Sequence, residues 1–139
     1  MAAHSLGRFG TPEAVGLLMA ALDDDHWEVR DAAARALEKL AAVDAAPALV
    51  RALGDDNTTV REAAGKALAG MGVAVTPLVA AVLSDPNPLA RERAVRVLIK
   101  TGGVQAVDAL IPALEDPDAE VRESTAFALG ELQDPRATI

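Results

Sequence analysis

Four aspartate–arginine sets are the first residues in this chain that invite a chemical reading. Asp24, Asp55, Asp85 and Asp116 each stand six residues before an arginine: Arg30, Arg61, Arg91 and Arg122. A carboxylate and a guanidinium held together could move a proton or grip a charged ligand. Their repetition argues against that role. A catalytic group is needed once, whereas a structural group is needed in each copy of a repeat. The aspartates are therefore expected to cap helix starts, and the arginines to donate to carboxylates or carbonyls near the same turns. Asp23-Asp24-Asp25 could attract a divalent cation, but it lacks the glycine turn and distal glutamate of a calcium loop and reads as a capped, solvated turn. His4 and His26 are the only histidines and there is no cysteine, which excludes disulfides and thiolate chemistry and leaves no ligand set at metal-binding spacing. No Gly-rich phosphate loop or nucleophile elbow occurs either. The sequence predicts no catalytic residue, no metal and no cofactor.

Composition points the same way. Of 139 residues 51% are apolar, yet the aromatics are only Phe9, Trp27 and Phe127, so the core must be assembled from Ala, Leu and Val in many thin contacts, as in stacked helices. The length fits one domain. A net charge of −8 argues against a protein that tracks nucleic-acid phosphates, and favours solubility and partners that are neutral or basic. The opening MAAHSLGRFG shows no secretory signal, and no apolar run approaches the ~20 residues of a membrane span, so a cytoplasmic protein without a membrane partner is expected.

The elements that must position these residues follow from an internal repeat. LDDDHWEVRDAAARAL from Leu22, LGDDNTTVREAAGKAL from Leu53, LSDPNPLARERAVRVL from Leu83 and LEDPDAEVRESTAFAL from Leu114 align, with their arginines 31, 30 and 31 residues apart and a leucine (Leu37, Leu68, Leu98, Leu129) seven residues after each. Each unit reads as two helices. The spacing predicts A helices near 12–22, 44–53, 74–83 and 104–114, and B helices near 26–40, 57–71, 87–101 and 118–132. Neither helix can bury its apolar stripe alone, so the chain is predicted to be all-α, a right-handed α-solenoid of about four two-helix repeats near 11–41, 42–72, 73–103 and 104–133. Partial repeats are expected at 1–10 and 134–139, because Leu6-Gly7-Arg8-Phe9-Gly10 aligns with the end of a B helix and Asp134-Pro135-Arg136-Ala137 with the start of an A helix. The Gly72 connection is two residues shorter than its equivalents and the next turn one longer, which predicts an irregular step between the second and third repeats. Pro112 should bend its A helix. With no polar caps in the sequence, Leu110, Leu129 and Leu132 are expected to be partly uncovered, and the ends to self-associate, most simply as a two-fold dimer.

The pattern D-x-x-x-x-V-R-x-x-A-A-x-A-L-G, followed by a D-P-R-A start to the next helix, resembles HEAT-like repeats of the phycobilisome-lyase type over residues 2–139. The resemblance implies the solenoid fold and B helices lining its concave side. As to function, it implies a family of bilin-lyase subunits, phycobilisome-degradation factors and scaffolds. Its metal-dependent relatives, the deoxyhypusine hydroxylases, carry His-Glu pairs on the B helices, where this chain has Asp31-Ala32, Glu62-Ala63, Glu92-Arg93 and Glu123-Ser124. That chemistry is absent here. The positions that vary between repeats then mark a partner-binding surface: Trp27, Asp31, Arg35, Thr58, Glu62, Lys66, Leu89, Arg93, Arg96, Glu120 and Phe127. Trp27 and Phe127 are candidate anchors unless they fold back onto the core. Asp31–Arg35, Glu62–Lys66 and Glu92–Arg96 are spaced for ion pairs along one helix. The expected function is a scaffold that binds a protein or peptide on this face. One alternative is an accessory subunit of a bilin lyase. Another is nucleic-acid binding in the manner of HEAT-like DNA glycosylases, for which only Arg91, Arg93, Arg96 and Lys100 against Glu92 offer a basic patch.

Overall fold

The computed structural model describes residues 11–132, which form eight α-helices and no strand. They pair as α1 (Pro12–Ala21) with α2 (Trp27–Leu40), α3 (Ala46–Ala52) with α4 (Thr58–Ala69), α5 (Thr76–Ala81) with α6 (Pro88–Thr101), and α7 (Gly103–Leu110) with α8 (Ala119–Leu132). The B helices α2, α4, α6 and α8 stack in sequence as one layer, and the shorter A helices form the other. This is the α-solenoid that the repeat demands.

The B helices lie within two residues of their expected bounds because their starts are strongly encoded. Asn57 accepts from Val60 N at 3.1 Å, Asn87 from Leu89 N at 3.0 Å, and Asp118 from Glu120 N at 2.9 Å, each satisfying an orphan amide of the first turn. Two of the four end on a residue at positive φ. Gly102 ends α6 at φ 67°, and Ala41 takes the same sign at φ 49° after α2.

The A helices depart from expectation. Val43–Ala45, Gly72–Val75, Val82–Ser84 and Ile111–Glu115 are 3-10 turns, so α3 and α5 are only 7 and 6 residues long. Pro112 does not merely bend its helix. Lacking an N–H for the carbonyl four residues back, it ends the α-helix at Leu110 and the chain continues in tighter 3-10 geometry. The tighter winding rotates the inward position. Leu22 and Leu53 are buried before their turns, whereas in the third and fourth repeats Val82 and Ala113 take that place and Leu114 is exposed.

The core is a run of Leu37, Leu49, Leu68, Leu98 and Leu110 with the alanines Ala33, Ala64 and Ala94 between the B helices. Alanine lets the backbones approach, and the fourth repeat places Thr125 there instead. Its hydroxyl is satisfied by donating to Val121 O at 2.7 Å. Leu110 is fully buried, against expectation, because α8 covers it, while Leu129 and Leu132 are partly buried against the core. The expected partial repeats at 1–10 and 134–139 lie outside the described residues.

The aspartates do not cap the B helices as expected. Each sits two residues before the cap residue and accepts its N–H: Asp24 from His26 at 2.8 Å, Asp55 from Asn57 at 2.9 Å, Asp85 from Asn87 at 2.8 Å, and Asp116 from Asp118 at 2.9 Å. Their carbonyls accept from the arginine six residues on, Nη1 to O at 2.8 Å for Arg30, 2.6 Å for Arg61, and 2.8 Å for Arg91 and Arg122. The same arginines reach the next repeat. Arg30 grips Asp55 through Nε at 2.7 Å and Nη2 at 3.1 Å, and Arg91 grips Asp116 at 2.9 and 3.0 Å. Burial alone would raise the Asp55 and Asp116 carboxyls, but the arginine and the backbone amide outweigh it and hold both below the ordinary carboxylate value.

The step from the second to the third repeat lacks this bridge. Arg61 donates Nη2 to Thr58 Oγ1 at 2.9 Å within its own repeat and makes no bond to Asp85. Asn87 Nδ2 instead donates to Gly54 O at 3.2 Å, an approach that a β-carbon on Gly54 would crowd to 3.1 Å. The irregular step expected from the loop lengths is thus a change in bonding.

A double-mutant cycle on unfolding free energies should give Arg91 and Asp116 a coupling within the usual ~0.5–3 kcal/mol of contacting residues, and Arg61 and Asp85 none beyond ~0.5 kcal/mol. Equal couplings would contradict the broken ladder. For pH the sign follows from the lowered carboxyls: their contribution is fully present above the ordinary aspartate pKa of ~3.9 and is lost as pH falls through the lower folded values. Denaturant midpoints should therefore fall in acid, and the fall should be shallower in an Asp55→Asn, Asp116→Asn variant.

Candidate functional site

The variable residues of the B helices separate in space into two groups. Trp27, Thr58, Leu89 and Glu120 lie in the first turns of their helices, at the rim. All four are exposed, with Trp27 at 41%, so it does not fold back into the core. Thr58 is occupied by Arg61. One turn further on, Arg35 Nε meets Asp31 at 3.0 Å and Arg96 Nε meets Glu92 at 2.6 Å, whereas Glu62 and Lys66 form no ion pair. The third expected pair is therefore absent. Phe127 is 63% exposed and does not fold back either.

Glu62, Lys66, Arg93, Arg96 and Phe127 are brought together in a trough that the rim residues, with Arg35 and Asp31, do not line. Its first part, about 350 Å³, lies between α4 and α6, walled by Glu62, Gly65, Lys66 and Ala69 on one side and Arg93, Arg96, Val97 and Lys100 on the other, with Glu38 of α2 at its edge. Its second part, about 580 Å³, lies between α6 and α8 and is lined by Ile99, Glu123, Ser124, Phe127 and Glu131. Arg96 and Lys100 of α6 line both parts and stand between them.

Gly65 sets the depth of the first part. A β-carbon there would stand 3.3 Å from Val97 Cγ2 and 3.4 Å from Arg93 Cδ, so glycine lets the stem of Arg93 lie against α4. The equivalent positions carry Ala34, Val95 and Ala126. The Nε of Arg93 is buried and meets no acceptor. Burial first, and the nearby Arg96 second, lower the Arg93 pKa from the ordinary arginine value, and the group remains cationic. Glu92 is held from two sides, by Arg96 at 2.6 Å and by Ser124, whose Oγ donates at 2.9 Å across to α6. Among the described residues Lys66, Arg93 and Lys100 make no ion pair.

Gly65, Val97, Lys100, Glu38, Ile99 and Glu131 also line the trough, although they are not among the variable positions named as the partner-binding surface. Those positions stop five residues after each arginine. The helical period places residues three and four further on over the same face, which is where Lys100, Ile99, Glu38 and Glu131 stand. Among the described residues no group of three His, Cys, Asp or Glu side chains is placed to hold a metal, and no single helix is long and apolar enough to cross a membrane.

The pattern of HEAT repeats matches residues 1–69 and 75–139. Among curated protein sequences none matches this chain. A structure of the complex of CpcE and CpcF of phycocyanin lyase from Nostoc sp. PCC7120 contains a chain that is 30% identical, with a TM-score of 0.61 over 97% of this chain and 59% of its own length. This chain therefore spans under two thirds of that relative. An engineered protein is 23% identical, with a TM-score of 0.53 over 87% of this chain and 63% of that one. Human deoxyhypusine hydroxylase in complex with glycerol is also 23% identical, with a TM-score of 0.51 over 98% of this chain and 68% of that one. The last two likenesses establish the fold alone, while the repeat match, which spans nearly all of the sequence and both helix layers, establishes that the chain belongs to the HEAT repeat family.

Proposed function

We propose that this chain is a non-catalytic scaffold that binds a protein or peptide in the trough across α4, α6 and α8. The observation that carries the reading is an exposed Phe127 at one end of a preformed hollow that also presents Arg96 and Lys100, since aromatic and arginine side chains are the usual anchors of interfaces. Rigid helices present these groups at fixed spacing, which limits the ordering entropy lost on binding. The acid–base pairs that could serve catalysis are instead used between repeats: Asp55 and Asp116 are each held by an arginine and a backbone amide.

A second reading is an accessory subunit of a bilin lyase. The 30% identity to a chain of the phycocyanin lyase complex favours it, and that relative is itself part of a complex between two proteins. In this reading the trough is the surface offered to the other subunit.

Pull-down from source lysate, followed by titration of the identified partner, tests both. Truncating a true anchor costs ~2 kcal/mol or more, about thirtyfold in affinity, so Arg96→Ala with Phe127→Ala should weaken binding by at least that much. Trp27→Ala with Arg35→Ala, outside the trough, should weaken it far less. The reverse order would move the site to the rim.

A further inference from the structure

We propose that the α4–α6 half of the trough recognises a short acidic peptide segment, with its carboxylates against Lys66, Arg93, Arg96 and Lys100 and a bulky apolar residue on Phe127. This deepens, and rests on, the reading of the chain as a protein-binding scaffold. The chain carries a net charge of −8, yet this hollow gathers four cations against the lining carboxylates Glu38 and Glu62, with Glu92 beside it paired to Arg96. Three of the four cations, Lys66, Arg93 and Lys100, have no ion-pair partner among the described residues.

Arg93 is the specific feature. At its position the other repeats carry Ala32, Ala63 and Ser124. Its stem is laid against α4 by Gly65, and its guanidinium makes no hydrogen bond among the described residues while Nε is shielded from solvent. The shielded Nε fixes the guanidinium in place, and the Nη groups, which also make no hydrogen bond, are left for a carboxylate. Structural arginines elsewhere in the chain are all satisfied: Arg30, Arg61, Arg91 and Arg122 each donate to a carbonyl, and Arg30 and Arg91 to a carboxylate as well.

The extent of the positive region selects a peptide over a nucleic acid. Polynucleotide binding needs cations along several successive phosphates. Here the cations end within one hollow, and the surface beyond it turns acidic at Glu123 and Glu131. Those carboxylates would repel a continuing polyanion. A peptide can place its charges against the first part and an apolar side chain on Ile99 and Phe127 in the second.

The test uses the full chain at low salt and a fluorescein-labelled peptide of four glutamates followed by leucine, read by anisotropy. Its all-glutamine counterpart and a single-stranded oligonucleotide of equal charge serve as comparison probes. Several partly exposed ion pairs sum to about tenfold or more in affinity, so the glutamate peptide should bind at least that much tighter than the glutamine peptide and weaken as salt rises. Lys66→Gln with Lys100→Gln, both exposed and without bearing on the core, should remove most of that difference, as should Arg93→Gln. Arg51→Gln, exposed on the A layer, should leave it unchanged. Four results would overturn the proposal. Equal binding of the two peptides would leave the scaffold reading intact with a partner that is not acidic. Absence of binding by both would exclude the acidic segment, while the lysate partner still decides the scaffold reading. An oligonucleotide bound as tightly as the glutamate peptide would replace the occupant with a polyanion. A concentration-dependent dimer that the Lys66→Gln, Lys100→Gln variant dissolves would assign the trough to a second copy.

Discussion

The guanidinium of one repeat bonded to the turn of the next is the interaction on which the rest of this solenoid depends. Arg30 and Arg91 each tie three things together: the carbonyl of their own A–B turn, the carboxylate of the following turn, and through that carboxylate the amide that precedes the next B helix. Dispersion between alanines and leucines is strong in sum but weak in direction, and alone it would let helix pairs slide or rotate. A bidentate arginine–carboxylate contact has a fixed geometry, and with Arg91 and Asp116 only 12% and 7% exposed, solvent screens it little. The apolar layer supplies cohesion and the ladder supplies register.

The trough lies beside the one described step where that ladder is replaced. Two glycines make the replacement possible. Gly54 admits the Asn87 amide to its carbonyl, and Gly65 admits Arg93 and Val97 to the surface of α4. The unusual step and the unusual cation are thus local to each other. The arginine that leaves the ladder, Arg61, is nearly buried in its own repeat, while the arginine that projects into the trough, Arg93, occupies a position with no counterpart charge in the other repeats. Structure and candidate site are separated by position within the repeat: recurring residues hold the fold, and the face that varies carries the side chains that the fold does not use.

The fold was legible because its determinants recur. One arginine six residues after an aspartate is weak information, but four such sets at near-constant spacing fix the helix pairs, the stacking and the core leucines. What stayed hidden depended on geometry between repeats or on local winding. The sequence could not tell that the aspartate holds the cap residue's amide instead of capping the helix, since both roles require the same oxygen within two residues of the same place. Nor could it place the 3-10 turns, which move burial from Leu114 to Ala113 by a rotation that a period of 3.6 does not contain. The site was half legible. Phe127 and Arg93 differ in kind from the residues at their repeat positions, whereas the part of Gly65 is visible only once the neighbour it admits is placed against it.

Such a chain is not held equally firmly at every joint. The first and second repeats are bolted by Arg30 and Asp55, the third and fourth by Arg91 and Asp116, and between the second and third stands a single amide-to-carbonyl bond. Pulling the repeats apart meets a bidentate charged contact inside each of these pairs and only one neutral hydrogen bond between them. Local opening is therefore expected first at the joint between the second and third repeats. The double repeat of about sixty residues is accordingly the more cohesive unit along the described residues, and the joint between the two units borders the α4–α6 half of the cleft.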